Sequence, residues 1–145
     1  MSGDTPLFSI ALVNYGNLEL YFGALDSIFV QDYTNIELIV SDDGTDGFDL
    51  EETKKYIETH KLKNIRKVTV NANRKNVGTV KHLNQILKIQ SGKFFRPMAA
   101  DDELEDPQVI SDYVAFFQST HAQVVASKFN IYNESMTKCL KSGLN

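Results

Sequence analysis

Two short apolar runs, residues 8–13 (Phe-Ser-Ile-Ala-Leu-Val) and 36–41 (Ile-Glu-Leu-Ile-Val-Ser), read as strands buried on both faces. Between them Leu18, Phe22, Leu25, Ile28 and Phe29 fall at helical spacing, which predicts a helix over 18–31 with Asn17 as its N-cap. Strand, helix and strand in that order form a parallel unit. The alternation continues. A solvated helix is expected at Leu50–His60, with Thr53, Tyr56 and Ile57 on its inner side. A charged strand over 66–70 suits a sheet edge. A third helix is expected over 79–90, with Val80, Leu83, Ile86, Leu87 and Gln90 on one face and Gly92 just beyond as a C-terminal cap. Then come a strand over 93–98, a helix starting at Pro107, a fifth strand over 124–131 and a hairpin over 130–138. The expected fold is a Rossmann-like three-layer α/β/α sandwich on a mostly parallel sheet.

Two acidic pairs stand where strands of this sheet should end. Asp42-Asp43 closes the second strand, and Asp101-Asp102 follows the strand over 93–98. Open α/β sheets bind ligands outside the carboxyl ends of their strands. Asp101 and Asp102 have the oxygen chemistry that hard divalent cations take, with Mg²⁺ characteristically sharing one or two carboxylates with substrate phosphates. The alternative is a solvated acidic loop before a helix, with Asp106 as N-cap. Asp42-Asp43-Gly44 fits either an acceptor for a base N–H or ribose hydroxyl, or a plain turn. Tyr15, just past the first strand, is placed to stack on a base or simply to pack. The loop with Arg74 and Lys75 leads into a helix N-terminus and fits a pyrophosphate or an exposed basic turn.

A net charge of −4 and a pI near 5.3 argue against nucleic acid as a partner, since phosphate-backbone affinity needs clustered Lys and Arg. His60, His82 and His121 show no ligand spacing. Cys139 is the single cysteine, which rules out an intrachain disulfide and a thiolate cage. No transmembrane segment is expected, because no run approaches the roughly 20 apolar residues of a span. Nor does the amino terminus look like a leader, so the expected location is cytoplasmic.

Several of these residues together resemble a known family. Ser9-Ile10-Ala11-Leu12-Val13-Asn14-Tyr15, followed by the stretch from Ala24 through Gln31-Asp32-Tyr33 to Ser41-Asp42-Asp43-Gly44, is similar to the opening of the family 2 inverting glycosyltransferases. Downstream, Asn76-Val77-Gly78, Asn84, Ser91-Gly92-Lys93-Phe94 and Ala100-Asp101-Asp102 with Pro107 behind resemble that family's later motifs, including its DxD region. The resemblance implies a GT-A fold holding a nucleotide-sugar, a UDP-sugar by default, with Mn²⁺ or Mg²⁺ bridging its diphosphate. It implies that Val13 and Tyr15 line the base pocket, that Asp43 with Asp42 beside it binds the base, and that Asp101 and Asp102 serve ribose and metal. The acceptor, an unspecified glycan or lipid-linked hydroxyl, and the catalytic base would lie in segments beyond this chain. Those segments would also supply any peripheral contact with a membrane. On this reading residues 1–145 form a single nucleotide-sugar-binding domain, the N-terminal part of a longer enzyme. Two departures stand out. Gly16 follows Tyr15 where the family has asparagine, and Ala99 or Ala100 occupies the first DxD position, leaving metal ligation open between Asp101 and Asp102. A non-catalytic binding or assembly module of the same fold is the alternative. A phosphoacceptor receiver domain would carry its acid pair after the first strand, where this chain has Val13-Asn14.

Overall fold

The central strand of the sheet is β1 (Phe8–Asn14), whose side chains are buried along nearly its whole length in the computed structural model, which describes residues 5–143. On one side it pairs with β2 (Ile36–Asp42), which in turn pairs with β3 (Ile65–Ala72); on the other it pairs with β4 (Phe94–Ala99). All of these pairings are parallel, in the order β3-β2-β1-β4. The apolar runs thus fill the middle, and the charged strand is an edge as expected. β4 is the other edge, the position at which a sheet tolerates Pro97.

Alternation along the strands sorts two faces. Phe8, Ile10 and Leu12 of β1 and Ile36, Leu38 and Val40 of β2 pack with Ala24, Leu25 and Ile28 of α1 (Tyr21–Phe29), Ile57 of α2 (Leu50–His60) and Ile110 and Val114 of α4 (Val109–Thr120). Ala11 and Ile39 face the other way, against Ile86 of α3 (Thr79–Ile89). Each fully buried aliphatic side chain of this kind contributes about 1.5–3 kcal/mol. Helices therefore cover both faces. Among the described residues no helix is long and apolar enough to cross a membrane.

The second face also holds a charge. Glu37, 0% exposed, accepts hydrogen bonds from the Ser9 hydroxyl, from Ser91 N at 2.8 Å and from Ser91 Oγ at 2.8 Å, and pairs with Lys67 Nζ at 2.6 Å. Burial alone pushes this carboxyl up, but Lys67 and the serine donors outweigh it and hold it at about 2. Ser9 Oγ also accepts from Gly92 N at 2.8 Å. All these groups sit where the strands begin, so they knot the amino ends of β1, β2 and β3 to the segment entering β4.

The structure corrects several expectations. α1 begins at Tyr21; Asn17 Oδ1 does accept from Glu19 N at 3.1 Å and Leu20 N at 2.9 Å, but it closes a turn ahead of the helix. Gly92 is not a helix cap. α3 ends in extended backbone at Gln90, and a Cβ on Gly92 would lie 2.4–2.8 Å from Ser9 and from the carbonyl of Leu7, so glycine is required there by close approach to β1. α3 turns His82 and Ile86 inward and leaves Val80 and Leu87 exposed.

Two compact units divide between Val114 and Ala115. The second contains the end of α4, closed by His121 in the left-handed region at φ 57°, and a hairpin of β5 (Asn130–Tyr132) and β6 (Cys139–Ser142). The fifth parallel strand expected over 124–131 is absent: 124–129 have no strand pairing, and 130–132 pair antiparallel with β6. Local closure explains the difference, since Asn133 Oδ1 accepts from Thr137 N at 2.9 Å and Lys138 N at 2.8 Å and builds the hairpin turn. The expected hairpin is present.

Candidate functional site

The carboxyl ends of β1, β2 and β4 stay in register as they leave the sheet. Asp43 N donates to Asn14 O at 2.8 Å, and Ala100 N donates to Val13 O at 3.1 Å. Because β1 lies between the other two, both acidic pairs emerge beside it. A cleft of about 330 Å³ opens at this edge. One wall is Val13 to Asn17 and the other is Ala99, Ala100 and Asp101.

Of the residues singled out in the sequence, Val13, Tyr15 and Asp101 line this cleft. Tyr15 is 63% exposed. Asp102 is exposed next to Asp101, its N–H bonded to Ala99 O at 3.1 Å. Partial burial of its carboxyl and the neighbouring Asp101 charge raise the Asp102 carboxyl above its usual range, with Arg96 opposing. Asp42 and Asp43 lie outside the cleft lining and are buried, at 1% and 2% exposure.

Both buried acids are engaged within the protein. Asp42 Oδ1 accepts from Asn14 Nδ2 at 2.8 Å, while Oδ2 accepts from Gly44 N at 2.9 Å and Thr45 N at 2.8 Å. Asp43 Oδ1 accepts from Asn73 Nδ2 at 2.8 Å and Val77 N at 3.0 Å, and Oδ2 from Gly78 N at 3.1 Å. Asp43 thus caps the entry to α3. Burial pushes its carboxyl up, but Asn73, Val77, His82 and Gly78 together lower it below the usual value. His82 is itself 2% exposed, with Nε2 2.7 Å from Ser41 Oγ. Burial pushes this imidazole down against the pull of Asp43 and Asp42.

Asp43→Ala is expected to cost about 1–2 kcal/mol, because it removes the acceptor of the part-buried Val77 and Gly78 N–H groups and one of the two acceptors of Asn73 Nδ2. Amide exchange at Val77 and Gly78 would rise with it. Since the folded carboxyl titrates below its unfolded value, this contribution is present in full above the unfolded range and is lost as pH falls through the folded value. Denaturant unfolding of both proteins between neutral and acid pH checks the sign.

Sequence reasoning overlooked Asn14, Gly16 and Asn17 as cleft walls and Thr45 and Asn73 as anchors. The available signal was a polar residue, Asn14, ending an otherwise apolar strand. Arg74 and Lys75 are exposed and outside the cleft lining. Among the described residues no three His, Cys, Asp or Glu side chains gather as a metal cage.

The sequence profile described as "Glycosyl transferase family 2" matches residues 9–143. The chain belongs to this family. An uncharacterized glycosyltransferase of Haemophilus influenzae is 32% identical to this family member over 133 residues, which are 90% of the chain and 39% of the relative. The Staphylococcus aureus TarS 1–349 structure in complex with UDP-GlcNAc superimposes with a TM-score of 0.66 at 27% identity, over 79% of this chain and 32% of TarS. The mannosyltransferase PcManGT from Pyrobaculum calidifontis, in complex with GDP-Man and Mn²⁺, gives 0.69 at 21% identity, over 77% and 32%. The last likeness concerns the fold, which is GT-A. The chain spans well under half the length of these proteins.

Proposed function

We propose that this chain is the donor-binding part of a longer inverting glycosyltransferase, holding a nucleotide-diphosphate sugar with a divalent metal for transfer to an acceptor hydroxyl. The observation that carries the reading is a single cleft with Tyr15 on one wall and Asp101 on the other, at the carboxyl edge of a parallel sheet. Val13 and the Tyr15 ring form the base side, and Asp43, with Asp42 beside it at the end of β2, binds the base. Asp42 supports it.

Asp101 and Asp102 are the residues that would hold Mn²⁺ or Mg²⁺. Their chemistry fits such an ion: they are adjacent carboxylates, one of them raised by burial and by its neighbour, and a divalent cation characteristically combines one or two such groups with substrate phosphates. The ion, when bound, neutralises charge on the departing nucleoside diphosphate. The protein's own part here is to orient the donor and keep its base and diphosphate in register. The general base and the acceptor site belong to segments outside this chain.

Titrating UDP-, GDP- and dTDP-sugars with and without MnCl2 tests the reading. The expected result is binding of one nucleotide class that weakens about 100-fold, or ~2.7 kcal/mol, without metal or in Asp101→Ala and Asp102→Ala. Affinity indifferent to both metal and substitutions would remove the donor site. Release of free sugar in the presence of metal separates an active transferase from a binding module.

A further inference from the structure

Tyr15 presents an exposed ring from a backbone that is tied down on both sides. Before it, Asn14, 1% exposed, donates from Nδ2 to Asp42 Oδ1 at 2.8 Å and to Asn17 O at 2.8 Å, and its own carbonyl accepts from Asp43 N at 2.8 Å. Both partners of that amide nitrogen are acceptors only, so the orientation of the Asn14 side chain is fixed by its surroundings. After it, Gly16, at φ 78°, donates its N–H to Thr45 Oγ1 at 2.7 Å. Thr45 is held in turn by its N–H bond to Asp42 Oδ2 at 2.8 Å. One buried carboxylate therefore fastens both turns, through Asn14 with one oxygen and through Thr45 with the other. Among the described residues the Tyr15 ring itself has no hydrogen bond or ring contact.

We propose that Asp42 and Thr45 are positioning residues for Tyr15: they preorganise its ring as the stacking platform for the donor's nucleobase without touching the donor themselves. This rests on the proposed donor site. The physical gain is that the platform is ordered before the ligand arrives, so binding does not bear the cost of fixing the 14–17 turn. Thr45 is the cleaner lever, because Asp42 is buried and its loss disturbs more than one turn. The Gly16–Thr45 bond is exposed, so removing its acceptor loosens the turn while leaving the core intact.

Three measurements on wild type, Tyr15→Ala, Thr45→Val and Thr45→Ser test this. They are calorimetric titration with UDP, GDP and dTDP in MnCl2, amide exchange at Gly16, and the thermal midpoint. Thr45→Val is expected to speed Gly16 exchange and to weaken the nucleoside diphosphate about tenfold, the equivalent of one net hydrogen bond, with the thermal midpoint held. Thr45→Ser restores the acceptor and should return both quantities to the wild-type values. Gly16 exchange unchanged in Thr45→Val overturns the proposal, with or without ligand. So does full affinity in Thr45→Val alongside loss in Tyr15→Ala, an outcome that leaves the donor site standing. If wild type binds none of the three diphosphates, the donor site and the positioning role fall together.

Discussion

Glu37→Ala is expected to lower the unfolding free energy by about 2–3 kcal/mol, the range for leaving buried donors unpaired, since the Lys67 end of the ion pair is half exposed. The substitution removes the acceptor of the Ser9 hydroxyl and of both Ser91 donors and takes away the carboxylate partner of Lys67. The same contacts hold the carboxyl at about 2 instead of 4.5, which corresponds to ~3 kcal/mol of linkage. The folded value lies below the unfolded one. The contribution is thus complete at neutral pH, begins to fade as pH falls below about 4.5 and is lost through about 2. Urea unfolding of wild type and Glu37→Ala across that range should show the gap closing toward acid. A gap of constant size from neutral pH to pH 2 would mean that packing, not the carboxylate, holds this end of the sheet.

Gly44→Ala should cost about 2–4 kcal/mol and abolish nucleotide binding with it. Gly44 sits at φ 80°, and a Cβ there would lie 2.5–2.6 Å from the backbone of Lys75 and Asn76. Backbone cannot swing aside as a side chain can. The 73–78 segment would have to move, and that segment carries the donors that Asp43 depends on. Gly16→Ala is the matched control, with φ 78° but nothing within 4 Å of the added carbon, so it isolates the backbone conformational cost of about 1–2 kcal/mol. Equal losses in the two variants would show that the steric argument for Gly44 is wrong.

The elements most legible in the sequence were those whose signal is local. Continuous apolar runs marked β1 and β2, and the bounds of α2 are set by Asp49, whose side chain accepts from Glu52 N at 2.9 Å. Placing acids at strand ends needed only the alternation of strands and helices, and the family resemblance then named the fold and the chemistry. What remained hidden depends on partners distant in the chain. Asn14 and Asp42 are 28 residues apart, and Asp43 reaches Val77 and Gly78 across 34 and 35. No periodicity reports such pairs. Gly92 looked like a helix cap because its real constraint, the backbone of β1, lies across the sheet. The face of α3 was misjudged for a related reason: His82 turns inward to Ser41 Oγ at 2.7 Å, a partner 41 residues away, although Val80 is the more apolar side chain. At 124–131 the apolar content was real, but only 130–132 pair, in a short-range antiparallel hairpin, and 124–129 join no strand.

Every strand of the sheet runs in the same direction, so its two rims carry different duties. The ionic knot around Glu37 secures the rim where the strands start, while the cleft proposed to take the donor opens at the rim where they finish, about a strand's length away. Substitutions at the exposed lip residues Tyr15 and Asp101 therefore probe the proposed donor site without touching the Glu37 knot, whereas Asn14, buried and tied to Asp42, belongs to the frame.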